Sequence, residues 1–170
     1  KSILNEAEEP IDIIIIVVDA SNIKRHLLLV SQVLDLKKPC VLALNMIDEA
    51  KNNNVVIDIA EFEKLLGVSV VALNSRKHAG IECLKMTIHD ARISDSILYD
   101  FKKVATLGDN ITSYYDIISS QFKNPSFDIK KFEIEDNTYR FSKLNYIISK
   151  CVKRPEQLTK STTQKLDAVF

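Results

Sequence analysis

Residues Ile13 to Val18 form an unbroken run of β-branched side chains, Ile-Ile-Ile-Ile-Val-Val, which stops on Asp19. Such side chains are stiff at χ1 and fit a pleated surface. A run with no polar alternation predicts a strand buried on both faces, as in a parallel sheet between helix layers. The chain downstream of this strand must therefore supply helices to cover it.

It does so in alternation. Ser21 and Asn22 are good helix starters, and Ile23, Leu27, Val30 and Leu34 then recur at spacings of four, three and four. They make one apolar helical face, ended by Pro39. "CVLALN" (40–45) reads as a second buried strand and "EAKNNN" (49–54) as a polar loop. Asp58 caps a short helix with Glu61 as its capping-box partner. Phe62, Leu65 and Leu66 face inward, and Gly67 ends the helix. "VSVVALN" (68–74) is a third strand, and Ile81, Leu84, Ile88 and Ala91 mark another helix. The pattern predicts a doubly wound α/β sheet with right-handed crossovers.

The character changes after about Arg92. Ile97, Phe101 and Val104 fit one helix, and Ile111, Tyr114, Ile118 and Phe122 fit another. Residues 123–137 read as a polar connector, and Phe141, Leu144, Ile148 and Cys151 as one face of a third helix. The expected division is an α/β part over 1–92 and a small all-helical part over 93–170.

Composition narrows the classes. With 170 residues at 46% hydrophobic, the chain can bury a real core. Basic and acidic residues balance at 23 each, which argues against a nucleic-acid or membrane-surface footprint. Cys40, Cys83 and Cys151 lie far apart without zinc spacing and read as buried reduced thiols of a cytosolic protein. No apolar run approaches a membrane span and no signal peptide is recognisable. His26, His78 and His89 form no pair with metal-ligand spacing. The first residue, Lys1, reads as the start of a fragment.

In an open α/β sheet, ligands bind beyond the carboxyl ends of the strands. Here those ends deliver Asp19, then Asn45 within "NMID", then "NSRK" (74–77). The second fits N-x-x-D, and the third resembles S-A-K. That pairing suits guanine. The Asp48 carboxylate can accept from the ring N–H and the exocyclic amine, a combination adenine does not present. Asn45 can donate to N7 and tie neighbouring loops together, with Met46 beside it in the same loop. A backbone N–H near Ser75 and Arg76 can donate to the guanine carbonyl, and the Lys77 stem can cover the base face. A site built this way rejects analogues that leave its polar atoms unpaired. The competing reading has Asn45 and Asp48 simply capping the next helix.

The stretches "VVDASNIKRHLLLVSQVLDLKKPCVLALNMIDEA" and "IDIAEFEKLLGVSVV" resemble the second half of the GTPase domain of the ferrous iron transport protein B (FeoB) family. "YRFSKLNYIISKCV" resembles the last helix of that family's cytosolic helical domain, and "LTKSTTQKLDAVF" the segment before its first transmembrane helix. The resemblance implies a partial P-loop-GTPase-like parallel sheet with helices on both faces, followed by a small all-helical domain. It implies guanine contacts, for GTP or GDP, at Asn45, Met46, Asp48, Ser75, Arg76 and Lys77, the last standing where the family also uses Arg. Asp19 belongs to its V-V-D-A-[ST]-N strand end and is neither catalytic nor a magnesium ligand. The implied partners are the membrane pore domain of the same chain and small Feo accessory proteins, at the cytoplasmic face of the bacterial inner membrane.

One departure limits the chemistry. GTP hydrolysis uses a G-x-x-x-x-G-K-[ST] loop to cradle phosphates and hold magnesium. The three glycines, Gly67, Gly80 and Gly108, complete neither that motif nor D-x-x-G. In the family both would precede Lys1, and Mg2+ is expected only with that upstream half. The expectation is base recognition without phosphate chemistry, and no catalytic residue. Two alternatives stay open: another GTPase family, in ribosome assembly or tRNA modification, and a non-enzymatic interaction module on a degenerate GTPase fold.

Overall fold

A computed structural model describes residues 11–95 and 128–154. Three strands, β1 (Ile14–Asp19), β2 (Cys40–Asn45) and β4 (Ser69–Ala72), form a parallel sheet in the order β1-β2-β4. Helix α1 (Ile23–Leu34) connects the first two strands. Helix α2 (Ile47–Asn52), the short strand β3 (Val56–Ile57) and helix α3 (Ile59–Leu66) lie between β2 and β4, and helix α4 (Ile81–His89) follows. A 23-residue helix, α5 (Ile129–Cys151), runs into β5 (Val152–Lys153), which pairs antiparallel with β3. This is the expected class, a parallel sheet with flanking helices and a further helical segment.

The predicted faces mostly hold. Ile23, Leu27, Val30 and Leu34 are no more than 1% exposed and join Ile16, Val18, Leu42, Leu44 and Phe62 in the main core. Each such side chain contributes roughly 1.5–3 kcal/mol relative to exposure. On the other sheet face Val41, Ala43, Val71 and Leu73 pack against Ile81, Leu84 and Ala91. Gly67 caps α3 at φ 68°, where a Cβ would be strained.

Several expectations need correction. Strand β1 is buried on one face only: Ile15 and Val17 are 41% and 60% exposed, because α4 packs over β2 and β4 and not over β1. The stretch 49–54 is largely the end of α2 and not a polar loop. Its start carries no side-chain cap, so the usual signal is missing. The capping box at α3 is half formed. The Asp58 carboxylate accepts from the Glu61 N–H at 3.0 Å, but the Asp58 N–H donates to the Cys151 carbonyl at 2.8 Å. Asn22 stands at the N-cap of α1 without a side-chain cap bond, and the Asp19 side chain instead caps the short 3-10 turn Ala20–Asn22 that leads into the helix. The supposed connector is helical from Ile129, started by Asp128, which accepts from the Lys131 N–H. Cys40 and Cys151 are buried, with burial pushing each thiol up to about 11, whereas Cys83 is exposed.

The buried face of α5 also differs. It runs Phe132, Asp136, Arg140, Leu144, Ile147, Cys151, while Phe141 is 47% exposed. Arg140 is completely buried between α5 and α1. It donates from Nε to Asp136 at 2.6 Å, and from Nη1 to Asp35 and Ser31. Mutual pairing offsets part of the cost of burying these charges, and charged residues thereby occupy what periodicity assigns to apolar ones. The helices expected around Ile97–Val104 and Ile111–Phe122, and the tail from Leu158, lie outside the described residues.

Candidate functional site

Parallel register brings the strand ends to one edge. Asp19 lies opposite Asn45, and Leu44 opposite Ala72. Beyond β4 the ladder continues, with the Leu73 N–H donating to the Leu44 carbonyl at 2.8 Å and the Ile47 N–H to the Leu73 carbonyl at 3.2 Å. The two loops carrying N-x-x-D and S-R-K therefore leave the sheet side by side.

Three contacts join them. Asn45 and Ser75 pair reciprocally: Asn45 Nδ2 donates to Ser75 Oγ and the Ser75 N–H donates to Asn45 Oδ1, both at 3.1 Å. Lys77 Nζ lies 3.7 Å from Asp48 Oδ2, and Arg76 Nη1 lies 3.5 Å from Glu49 Oε1. Asn45 and Asp48 are half-buried, while Ser75, Arg76 and Lys77 are exposed. The capping alternative fails for Asn45, which is committed to Ser75 while α2 has no side chain at its N-cap. Asn45 ties the loops together as its residue type allows.

Met46 carries the turn between them. It sits at φ 59°, ψ 35°, a left-handed conformation that costs a non-glycine residue roughly 1–2 kcal/mol. The reversal starts α2 directly after β2 and puts Asp48 and Glu49 in its first turn. Negative charge there complements the helix dipole. Desolvation pushes the Asp48 carboxyl up, but hydrogen bonding from the Asn74 amide and from the Glu49 and Asp48 N–H groups, with the Lys77 charge, outweighs it and holds the group below its ordinary range. Asp48 is thus an ionised acceptor at neutral pH.

Asp19 is spent within its own strand end. It accepts from the Ser21 N–H at 2.8 Å and the Ser21 hydroxyl at 2.7 Å, with Asn22 Nδ2 at 3.5 Å. Burial pushes its carboxyl up, and these bonds with nearby His26 bring it below the ordinary value. It shapes the edge of the site.

The sequence reading missed Glu49 and Asn74. Glu49 could have been found by its position after Asp48 in the first turn of a helix, had α2 been recognised. Asn74 announced itself only as a turn-forming residue after an apolar run. Among the described residues no group of three or more His, Cys, Asp or Glu side chains could hold a metal ion.

Comparison with known proteins bears on the family and the fold. The family model described as "Ferrous iron transport protein B" matches residues 2–88, just over half of the chain. The Fe(2+) transporter FeoB of Salmonella typhimurium is 44% identical over 86 residues, and that of Escherichia coli 42%. Each alignment covers 51% of this chain and 11% of the relative, so the match spans about a tenth of the relatives' length. The cytosolic domain of L. pneumophila FeoB superposes with a TM-score of 0.67 at 28% identity, covering 86% of this chain and 68% of that one. The cytosolic domain of T. maritima FeoB in its GMPPNP form gives 0.66 at 21% identity, covering 86% and 69%, a likeness of fold. On the extent of the family match, the chain belongs to the ferrous iron transport protein B family.

Proposed function

We propose that the chain reads guanine nucleotides through the loops at Asn45–Asp48 and Ser75–Lys77, as part of the cytosolic GTP-binding region of a ferrous iron transporter. The observation that carries this reading is the reciprocal Asn45–Ser75 pair. It draws an ionised carboxylate and a row of exposed donors to one edge of the sheet. Asp48 accepts from the guanine ring N–H and exocyclic amine, and Lys77 yields its place beside that carboxylate while its stem covers the base. The Ser75 and Arg76 backbone faces the base carbonyl, and Asn45 and Met46 frame N7. The relatives' descriptions as Fe(2+) transporters, and solved relatives in GMPPNP and GDP forms, support the choice of nucleotide and of cargo.

In this reading residues 1–92 are the C-terminal part of a G domain, and 93–170 a helical domain leading toward a membrane pore. Its place is the cytoplasmic face of the bacterial inner membrane, with small Feo accessory proteins as further partners. Among the described residues no helix is long and apolar enough to cross a membrane. The 170 residues contain no G-x-x-x-x-G-K-[ST], so the purified chain should not turn over GTP and should bind GDP only at about millimolar concentration. Measurable turnover would refute this. The test of base reading is Asp48→Asn in a chain that also carries a phosphate-binding loop ahead of Lys1. Preference should move from guanine toward xanthine, and unchanged preference would count against the proposal.

A further inference from the structure

We propose that Asn74 is the positioning residue of the base-reading site: it fixes the turn that presents Ser75 to Asn45 and Lys77 to Asp48. This inference rests on the guanine reading above and goes beyond the base-contacting set, which does not include Asn74.

Asn74 is 6% exposed, whereas Ser75 through Ala79 are exposed. Its Oδ1 accepts from the Lys77 N–H at 3.1 Å, and its backbone carbonyl accepts from the same N–H at 3.1 Å. Its N–H donates to the Ala79 carbonyl at 3.0 Å, and the Ala79 N–H donates back at 3.1 Å. One residue therefore closes both the inner turn (Ser75–Lys77) and the outer loop ending at Ala79. The residue before it, Leu73, is pinned to β2 and α2 through Leu44 and Ile47, so Asn74 is held on a rigid base.

The far end of the loop is equally constrained. Gly80 sits at φ 85°, and a Cβ there would lie 2.3 Å from the Ala72 carbonyl oxygen. The chain thus returns across the end of β4 at the closest approach a backbone allows. With both ends fixed, the placement of Ser75 and Lys77 depends on the Asn74 side chain closing the turn between them. The Asn74 side chain is also among the groups that hold the Asp48 carboxyl on the neighbouring loop below its ordinary range. An asparagine can accept from the turn and donate to the carboxylate together, which neither alanine nor aspartate can do.

The two halves of this role separate by substitution in the 170-residue chain. Asn74→Ala removes both. Asn74→Asp keeps an acceptor for the Lys77 N–H but removes the donor and sets a second negative charge beside Asp48. Two readouts apply: the NMR titration of the Asp48 carboxyl, and the ratio of GDP to IDP affinity from amide shifts at Asn45, Ser75 and Lys77. Hypoxanthine lacks the exocyclic amine, so the ratio reports Asp48 geometry. In Asn74→Ala the Asp48 pKa should rise toward its ordinary value and the ratio fall about fivefold, as for one lost hydrogen bond. In Asn74→Asp the pKa should rise further, with a similar loss of ratio, while amide shifts of Val41–Leu44 stay unchanged in both. Wild-type titration and ratio in both variants would overturn the positioning role. If Asp48→Asn abolishes the ratio while the Asn74 variants retain it, only that role falls. A wild-type ratio near one overturns the base reading, and this inference with it.

Discussion

Two clusters of charge in this molecule are built on opposite terms. At the sheet edge, Asp48 and Asp19 are hydrogen-bonded within reach of water, and both are held below the ordinary carboxylate range. Between α1 and α5, Asp35 and Asp136 are 2% exposed and share one buried arginine. Desolvation drives both carboxyls up despite the Arg140 charge. In the proposed reading the Asp48 charge stays open to an incoming donor, while Asp19 is spent on its own strand end. The buried cluster consumes its charge in holding a helix against the α/β part. Deep burial marks the structural cluster, and half-exposed side chains in replaceable pairs are what the proposed base reading needs at the sheet edge.

The largest expected effect lies in the buried cluster. Arg140→Ala leaves two buried carboxylates facing each other and should destabilise the chain by about 3–5 kcal/mol in urea unfolding. Adding Asp35→Asn and Asp136→Asn should recover part of that loss. If Arg140→Ala alone changed the midpoint no more than a surface substitution, the cluster would not hold α5 in place.

Gly80→Ala comes next. The left-handed φ and the contact with the Ala72 carbonyl should together cost about 2 kcal/mol. The amide shifts of Ser75 and Lys77 should move more than those of β2. A loop that tolerated the methyl unchanged would break the claim that its span is fixed.

Dependence on pH sharpens the comparison by sign. Asp35 and Asp136 have raised folded-state values, so the folded chain binds protons there more readily than the unfolded chain. Their contribution is complete below the ordinary Asp value and is lost as pH rises through the raised values. Asp19 and Asp48 act oppositely: their contribution is present above the ordinary value and is lost as pH falls through the lowered ones. The decline of the urea midpoint with rising pH across this range should therefore be smaller in Asp136→Asn, with the Asp35 share remaining. In Asp48→Asn the loss on the acid side should shrink. Identical profiles for wild type and both variants would erase the distinction between the clusters. The smallest effect belongs to Glu49→Gln, which breaks an exposed pair with Arg76 and should cost at most about 0.5 kcal/mol.

The apolar framework was legible because burial and periodicity coincide in it. The α1 face, strand β2 and the cap and stop of α3 could be read directly from residue order. The candidate site was legible through two short motifs at strand ends, since parallel strands in register bring their ends to one edge. What escaped depends on contacts distant in sequence. Helix α2 starts at a left-handed Met46 with no capping side chain, so no local signal announces it. Arg140 and Asp136 occupy an inward face because Asp35, more than a hundred residues earlier, meets them there. The β3–β5 pair consists of two-residue strands that gain order only when α5 delivers Val152 beside Ile57. Asn74 looked like an ordinary turn residue until its side chain was seen to cap the Lys77 N–H.

The central claim is that the Asn45–Asp48 and Ser75–Lys77 loops read guanine, and amide NMR titration of the 170-residue chain with GDP and XDP tests it directly. In the wild-type chain GDP should shift Asn45, Ser75 and Lys77 at lower concentration than XDP, and Asp48→Asn should reverse that order. The same order of preference in both proteins, or GDP shifts confined to residues away from these loops, would contradict the account.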